Sequence, residues 1–158
     1  VLHARAGNPI ATLVGDFATG EGIPAQRYDC VIATDVLQTI YDVRAAVRGV
    51  HDALAVGGVA LVTLPGLQPI YRSDADAWGD FWRFHEQTAV RLFGEVFAPA
   101  DVEVRAHGNA LTAAGAIYGL AEEDLRPRDF VEDDPLRPVT VTVRAVRRSA
   151  TPARPPGR

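Results

Sequence analysis

The chain has 158 residues, of which 47% are hydrophobic, and a formal net charge of -4. This length and apolar content favour one folded domain and exclude a disordered chain. All 16 basic residues are arginine, and an acidic balance without a basic stripe argues against a nucleic-acid partner. No apolar run approaches the roughly 20 residues that span a bilayer, so we expect no membrane span and, by default, a cytoplasmic protein. Because methionine is absent, we also expect a processed product or a fragment.

The first predicted element is a short strand at residues 10–14, which ends at Gly15, Asp16 and Phe17. Asp16 therefore lies at a strand tip, where open α/β sheets bind ligands. Local sequence favours an Asx turn at this aspartate, and a ligand-binding carboxylate is the alternative. Residues 19–27 contain two glycines and a proline and predict a loop.

A buried strand and an amphipathic helix follow at residues 28–54. The apolar run at residues 30–33 predicts a strand that stops at Thr34 and Asp35, and its cysteine, Cys30, is expected to be a buried core thiol. From Val43 onward the apolar residues recur at helical spacing, with Asp42 as the predicted N-cap.

A second apolar strand is predicted at residues 59–64, after Gly57 and Gly58 allow the chain to leave the helix. Two such strands joined by a helix form a right-handed βαβ unit, whose parallel strands are expected to be covered on both faces. Ligands of such sheets bind at the carboxyl ends of the strands, which are residues 34–38 and 65–68 here.

An aromatic segment follows the second strand. Ser73 and Asp76 have the spacing of a capping box, and Trp78, Trp82 and His85 recur with helical periodicity, which predicts one helix across residues 78–85. This helix either packs on the sheet or covers the ligand crevice as an acceptor-binding cap. Residues 89–97 predict a further packing helix.

The last third of the chain predicts the edge of the sheet. Residues 101–106 and 139–146 alternate apolar and polar side chains and are expected to pair antiparallel. Between them, residues 109–121 predict a helix and residues 122–138 a loop. Residues 149–158 predict a disordered tail, which leaves residues 1–148 as the folded domain.

The succession of strands and helices in this chain resembles the second half of a class I S-adenosylmethionine-dependent methyltransferase. The residues that carry the resemblance are Tyr28-Asp29-Cys30-Val31-Ile32, Asp35-Val36-Leu37-Gln38 and Leu54-Ala55-Val56-Gly57-Gly58. Residues 7–9, 40–42 and 78–84 are similar to a bacterial methyltransferase group often found near glycan-biosynthesis genes. Gln38 stands where many members have an acid or a base, so that role is not carried over.

The resemblance implies a Rossmann-like methyltransferase sheet, mostly parallel with an antiparallel C-terminal edge, that lacks the first two strands. We therefore expect the C-terminal part of a longer enzyme; alternatively, the strand at residues 10–14 docks directly on the strand at residues 28–34. The implied cofactor is S-adenosyl-L-methionine, with Asp16 accepting from the adenine amino group, Phe17 against the adenine, and Thr34 and Asp35 lining the methionine end.

The same resemblance implies methyl transfer to a small-molecule or carbohydrate acceptor. The candidate acceptor-binding residues are Tyr71, Trp78, Trp82 and Arg83. Methyl transfer depends mainly on positioning, so no fixed catalytic residue is required. If the acceptor is a hydroxyl, Asp35 or His85 can take its proton, although Asp35 equally suits a turn cap and His85 a surface position.

Other chemistries lack their signatures. The sequence has no G-x-S-x-G elbow, no zinc-ligand spacing and no phosphate-binding loop with lysine, so we expect no metal. A nicotinamide-dependent reductase shares the doubly wound sheet and is one alternative, and a non-catalytic methyltransferase-like binding module is the other. We expect the isolated 158 residues to bind cofactor weakly or not at all, because the glycine-rich loop is missing.

Overall fold

A computed structural model describes residues 1–3 and 5–148, with the main chain alone at Asp74. The tail predicted at residues 149–158 lies outside the described residues. The strands are β1 (Leu2–His3), β2 (Leu13–Val14), β3 (Tyr28–Thr34), β4 (Leu54–Pro65), β5 (Val102–His107) and β6 (Thr140–Val146). The helices are α1 (Val43–Ala53), α2 (Arg72–Trp78), α3 (Glu86–Gly94) and α4 (Ala110–Tyr118).

The main sheet has the strand order β3-β4-β6-β5. β3 and β4 run parallel with Thr34 opposite Thr63, and α1 connects them, which confirms the predicted βαβ unit. β6 pairs antiparallel with both β4 and β5, which confirms the predicted antiparallel edge. The sheet therefore has parallel strands at one side and antiparallel strands at the other.

Helix α1 begins and ends for identifiable reasons. The Asp42 side chain accepts a hydrogen bond from the main-chain N–H of Ala45 at 3.0 Å, which confirms it as the N-cap. The helix exit predicted at Gly57 and Gly58 is wrong, because Leu54 is already extended and starts β4. Gly57 instead has a φ of +88° where the register between β3 and β4 shifts.

One face of the sheet is covered and holds the core. Helices α1 and α3 pack on this face and bury Val47, Phe93 and Leu64 completely. The other face carries Ile32, which is 71% exposed, opposite Leu61, which is 41% exposed. The expected cover on both faces is therefore absent within residues 1–3 and 5–148.

Cys30 is exposed, so its prediction as a buried core thiol is wrong. The apolar run correctly predicts a strand. However, β3 is an edge strand of the described sheet, and Cys30 lies on the same face as Ile32, away from α1 and α3.

The aromatic segment is not one helix, so that prediction is wrong. Helix α2 ends at Trp78, and Gly79 follows with a φ of +89°, a conformation that stops a right-handed helix. Residues 79–85 are irregular, and α3 starts after His85. The capping box predicted at Ser73 is also absent, because α2 begins one residue earlier, behind Tyr71, with no side-chain cap.

The N-terminal segment forms a small lobe of its own. Only Leu13–Val14 of the strand predicted at residues 10–14 is a strand, and within the described chain it pairs with Leu2–His3 rather than with β3. The alternative of direct docking on β3 is therefore wrong. The segment is attached to α1 instead, where Gly49 packs so closely that a Cβ there would overlap the carbonyl oxygen of Phe17.

The connection between β5 and β6 contains α4, as predicted. Asn109 and Thr112 form a reciprocal capping box at its start. The predicted loop after it holds two short 3₁₀ turns, Glu122–Asp124 and Pro127–Phe130. Across residues 1–3 and 5–148, every helix is too short or too polar to cross a membrane.

Candidate functional site

A cleft of about 750 Å³ runs along the open edge of β3, between that strand and the N-terminal lobe. Its lining includes Asp16 and Phe17 from the lobe, Ile32 from β3, Val36 just beyond β3, and Trp78 at the end of α2. The walls are mostly apolar, with Asp16 as a carboxylate among them. This combination suits a ligand with a flat, partly apolar ring system.

Asp16 makes the Asx turn that local sequence favours. Its Oδ1 accepts a hydrogen bond from the main-chain N–H of Ala18 at 2.7 Å. Within the described chain its Oδ2 has no partner, so one carboxylate oxygen stays available to accept a further hydrogen bond. Phe17, the next residue, is half-buried against the core. The turn and the ligand role are thus compatible.

Asp35 is held in an unusual conformation at the tip of β3. Its φ is 49°, in the left-handed region that few residues other than glycine adopt. The main-chain N–H of Asp35 donates to the Oγ1 of Thr63 at 3.0 Å, and that hydroxyl donates to the Oδ1 of Asp35 at 3.2 Å. A hydroxyl on β4 therefore fixes the carboxylate at the end of β3.

Gln38 lies directly beside this tip. Its Nε2 donates to the main-chain oxygen of Asp35 at 2.7 Å, while its Oε1 is buried without a partner among the described residues. A buried acceptor without a partner is uncommon and is a position where a ligand can supply the missing donor.

The structure separates the predicted cofactor residues into two groups. Asp16 and Phe17 line the cleft along β3, whereas Thr34 and Asp35 do not. Thr34 and Asp35 lie at the carboxyl end of β3. The next residue, Val36, lines the cleft again.

The predicted acceptor residues also lie in different places. Trp78 lines the cleft, where its ring packs edge to face with His3 at 5.2 Å and beneath the guanidinium of Arg5 at 4.2 Å. Trp82 lines a second cavity, and its Nε1 donates to the main-chain oxygen of Ile40 at 3.1 Å. Tyr71 is exposed at the start of α2 and lines neither cavity.

Arg83 binds the protein itself. Its guanidinium pairs with the buried carboxylate of Asp80 and donates to the main-chain oxygens of Gln68 at 3.0 Å and Pro69 at 2.9 Å. The hydrogen bonds that the guanidinium donates to the carboxylate of Asp80 raise the pKa of Arg83 further above its ordinary value. Arg83 therefore fixes the loop that follows β4.

The second cavity, called the groove below, lies between the start of α1 and α3 and has a volume of about 710 Å³. His85 lies in it as the N-cap of α3 and contacts Thr88, with 3.0 Å between its Nε2 and the threonine Oγ1. Tyr41 lines both the groove and the cleft.

Sequence reasoning missed Tyr41 and Thr63. A polar residue near the end of the apolar run at residues 59–64 is a signal that was available for Thr63. For Tyr41 the signal was weaker, because its position between two cavities depends on where Trp78 and Trp82 lie.

Comparison with known protein-family models found no match. Among curated proteins, the polyketide synthase ThaG of Burkholderia thailandensis is 34% identical over 74 residues, which are 47% of this chain and 1% of that protein.

Solved structures provide the stronger likeness. Phosphoethanolamine N-methyltransferase 2 of Haemonchus contortus, in complex with S-adenosyl-L-methionine, is 15% identical with a TM-score of 0.53, covering 86% of this chain and 36% of its own. The CurJ carbon methyltransferase is 16% identical with a TM-score of 0.52, and the match covers 86% of this chain and 34% of that one. An S-adenosylmethionine-dependent methyltransferase from Mesorhizobium loti is 22% identical with a TM-score of 0.51, and the match covers 91% of this chain and 74% of that one.

The chain thus spans about a third of the first two of these structures. At these identities the likeness concerns the fold, and the strand order β3-β4-β6-β5 with its antiparallel edge agrees with it. The chain therefore has an α/β fold shared with S-adenosylmethionine-dependent methyltransferases.

Proposed function

We propose that the chain is the part of an S-adenosylmethionine-dependent methyltransferase that holds the adenine of the cofactor and faces the acceptor. The observation that carries this proposal is the overlap of 86–91% of the chain with methyltransferase structures, together with a cleft along β3 that Asp16 and Phe17 line.

The residues of the cleft fit the adenosine end of the cofactor. The Oδ2 of Asp16 is available to accept from an exocyclic amino group, and the adjacent Phe17 ring and the apolar wall formed by Ile32 suit a flat base. In this proposal Thr34 and Asp35, at the neighbouring strand tip, line the methionine end. When bound, the cofactor supplies an activated methyl group.

This chain's own contribution is then mainly positioning. Bringing two reactants into line can lower the barrier by about 7–11 kcal/mol, whereas a general base contributes about 100- to 10,000-fold in rate. Asp35 is the better placed of the two candidate bases, because Thr63 fixes its carboxylate at the carboxyl edge of the sheet. His85 lies in the groove and caps α3.

For the acceptor, we propose a small molecule or a carbohydrate that contacts Trp78 in the cleft or Trp82 in the groove. Tyr71 is exposed and lines neither cavity, so it would contact an acceptor only from outside them. The two tryptophan rings offer the flat apolar faces that sugars and aromatic acceptors pack against. Arg83 would act by holding the loop after β4, since its donors already meet Asp80 and main-chain oxygens. The 34% identity with a polyketide synthase over 74 residues is a reason to test an acyl thioester beside sugar acceptors.

The test is a titration of the 158-residue chain with S-adenosylhomocysteine and, separately, with NADH, followed by backbone NMR. We expect S-adenosylhomocysteine to bind weakly and to shift the amide signals of Asp16, Phe17 and Ile32 without shifting those of α4. Asp16→Asn should weaken binding about 10-fold, because the amide keeps the Oδ1 acceptor of the turn but replaces the free Oδ2 with a donor. Glu21→Gln, an exposed change in the same lobe, is the control.

Two results would overturn the proposal. Shifts of the cleft residues with NADH alone would favour a nicotinamide-dependent reductase. No shift with either ligand, even at millimolar concentration, would contradict the proposed adenine site in the cleft.

A further inference from the structure

The groove between α1 and α3 has the size and lining of a small-molecule site. Its volume of about 710 Å³ falls within the range of about 300–1,000 Å³ that is typical of such sites. Aromatic rings line it, among them Tyr41 and Trp82, together with three arginines, Arg44, Arg83 and Arg91. None of these arginines lines the cleft along β3.

One arginine of the groove takes no part in the ion pairs of its neighbours. The guanidinium of Arg91 has no hydrogen-bond or ion-pair partner within residues 1–3 and 5–148. The two carboxylates of the groove are already engaged, since Glu95 pairs with Arg44 at 3.1 Å and Asp42 caps α1. An anion in the groove would therefore meet an unpaired arginine, although the whole chain has a net charge of -4.

The aromatic wall of the groove is fixed in place. The hydrogen bond from the Nε1 of Trp82 to the main-chain oxygen of Ile40 fixes the indole. The Tyr41 ring lies 5.9 Å from the Trp82 ring at an angle of 31°, and Tyr41 is 72% exposed. These two tilted rings are partly open to solvent and offer faces against which a flat or cyclic ligand can pack.

We propose that the groove binds a small molecule that carries a phosphate or carboxylate group on a ring. Arg91 and Arg44 bind the anionic group, and Tyr41 and Trp82 contact the ring. Binding itself does not require methyl transfer. That this ligand is also the methyl acceptor rests on the proposed function, and Tyr41, which lines both cavities, is where the two sites would meet.

The positions of the tryptophans permit a direct test, because the chain has only two and they lie in different cavities. Trp78→Phe leaves Trp82 as the reporter of the groove. We expect phenyl phosphate to change its fluorescence with a dissociation constant of about 1 mM. Inorganic phosphate has the anionic group without the ring, and benzyl alcohol has the ring without the anionic group. Each should bind at least about 10-fold more weakly than phenyl phosphate.

Arginine variants in the Trp78→Phe background locate the anion. Arg91→Gln should weaken phenyl phosphate binding about 10-fold, because a charge-assisted hydrogen bond is lost. Arg48→Gln, which changes an exposed arginine of α1 outside the groove, should leave the affinity unchanged. The proposal fails if Trp82 fluorescence does not respond, if the two variants weaken binding equally, or if benzyl alcohol binds as well as phenyl phosphate.

A variant that keeps only the other tryptophan distinguishes binding in the groove from cofactor binding in the cleft. In Trp82→Phe, the remaining Trp78 reports on the cleft, so a response to S-adenosylhomocysteine there tests cofactor binding alone. A groove that binds phenyl phosphate beside a cleft that does not bind S-adenosylhomocysteine would support the groove site and contradict the proposed adenine site.

Discussion

The two faces of the main sheet differ in what covers them. On one face, α1 and α3 bury Val47, Phe93 and Leu64 completely. On the other, Ile32 and Cys30 are exposed, and the cleft with its candidate ligand residues borders the same strand. The comparison teaches that the exposed face of β3 contributes little to stability, so Ile32 and Cys30 can be changed at low cost, whereas Phe17 serves both the cleft and the core.

The largest expected effect comes from removing a side chain on the covered face. Leu64→Ala should lower the free energy of unfolding by about 2–5 kcal/mol, because Leu64 is fully buried and its loss leaves a cavity. Ile32→Ala removes the same number of carbon atoms from the exposed face and should cost only about 0.5–1 kcal/mol. Urea unfolding of both variants measures the difference, and equal losses would show that the second face is covered too.

The next effect concerns the attachment of the N-terminal lobe to α1. Gly49→Ala should lower the free energy of unfolding by about 1–3 kcal/mol, because the new Cβ would overlap the carbonyl oxygen of Phe17. Gly94→Ala, at the end of α3, points a Cβ into open space and should be neutral or stabilising by up to about 1 kcal/mol. If both variants keep wild-type stability, the lobe is not packed on α1 as described.

The smallest effect leaves stability unchanged and reports on exposure alone. The Cys30 thiol should react with a coloured disulfide reagent in the native chain at a rate close to that in denaturant, because it is exposed. S-adenosylhomocysteine should slow the reaction if it occupies the cleft, which Cys30 helps to line. A thiol that reacts only after unfolding would mean that β3 is covered on this side.

Much of the fold could be predicted from local pattern. Apolar runs and their spacing predicted β3, α1, β4 and the antiparallel pair β5 and β6, because each of these elements buries a regular face. The helix across residues 78–85 could not be predicted in this way. There the aromatic spacing was helical, and Gly79 with its positive φ decided the outcome.

The site was less predictable, because its arrangement depends on long-range contacts. Asp16 could be assigned to a strand tip from its neighbours, but the separation of Trp78 from Trp82 follows from the break at Gly79. For Cys30, an apolar run predicts a strand without showing which of its faces a helix will cover. The roles proposed for Thr34, Asp35, Tyr71 and His85 remain predictions.

Among the strands of residues 1–3 and 5–148, β6 comes last along the chain, and it lies inside the sheet between β4 and β5. Neither neighbour pairs with the other, so the hydrogen-bond ladder stays open until residues 140–146 have left the ribosome. Pairing over such sequence distances is slow, because it must wait for loop closure. The nascent chain will therefore expose the facing edges of β4 and β5 until β6 has been synthesised, and this part of the sheet can form only then.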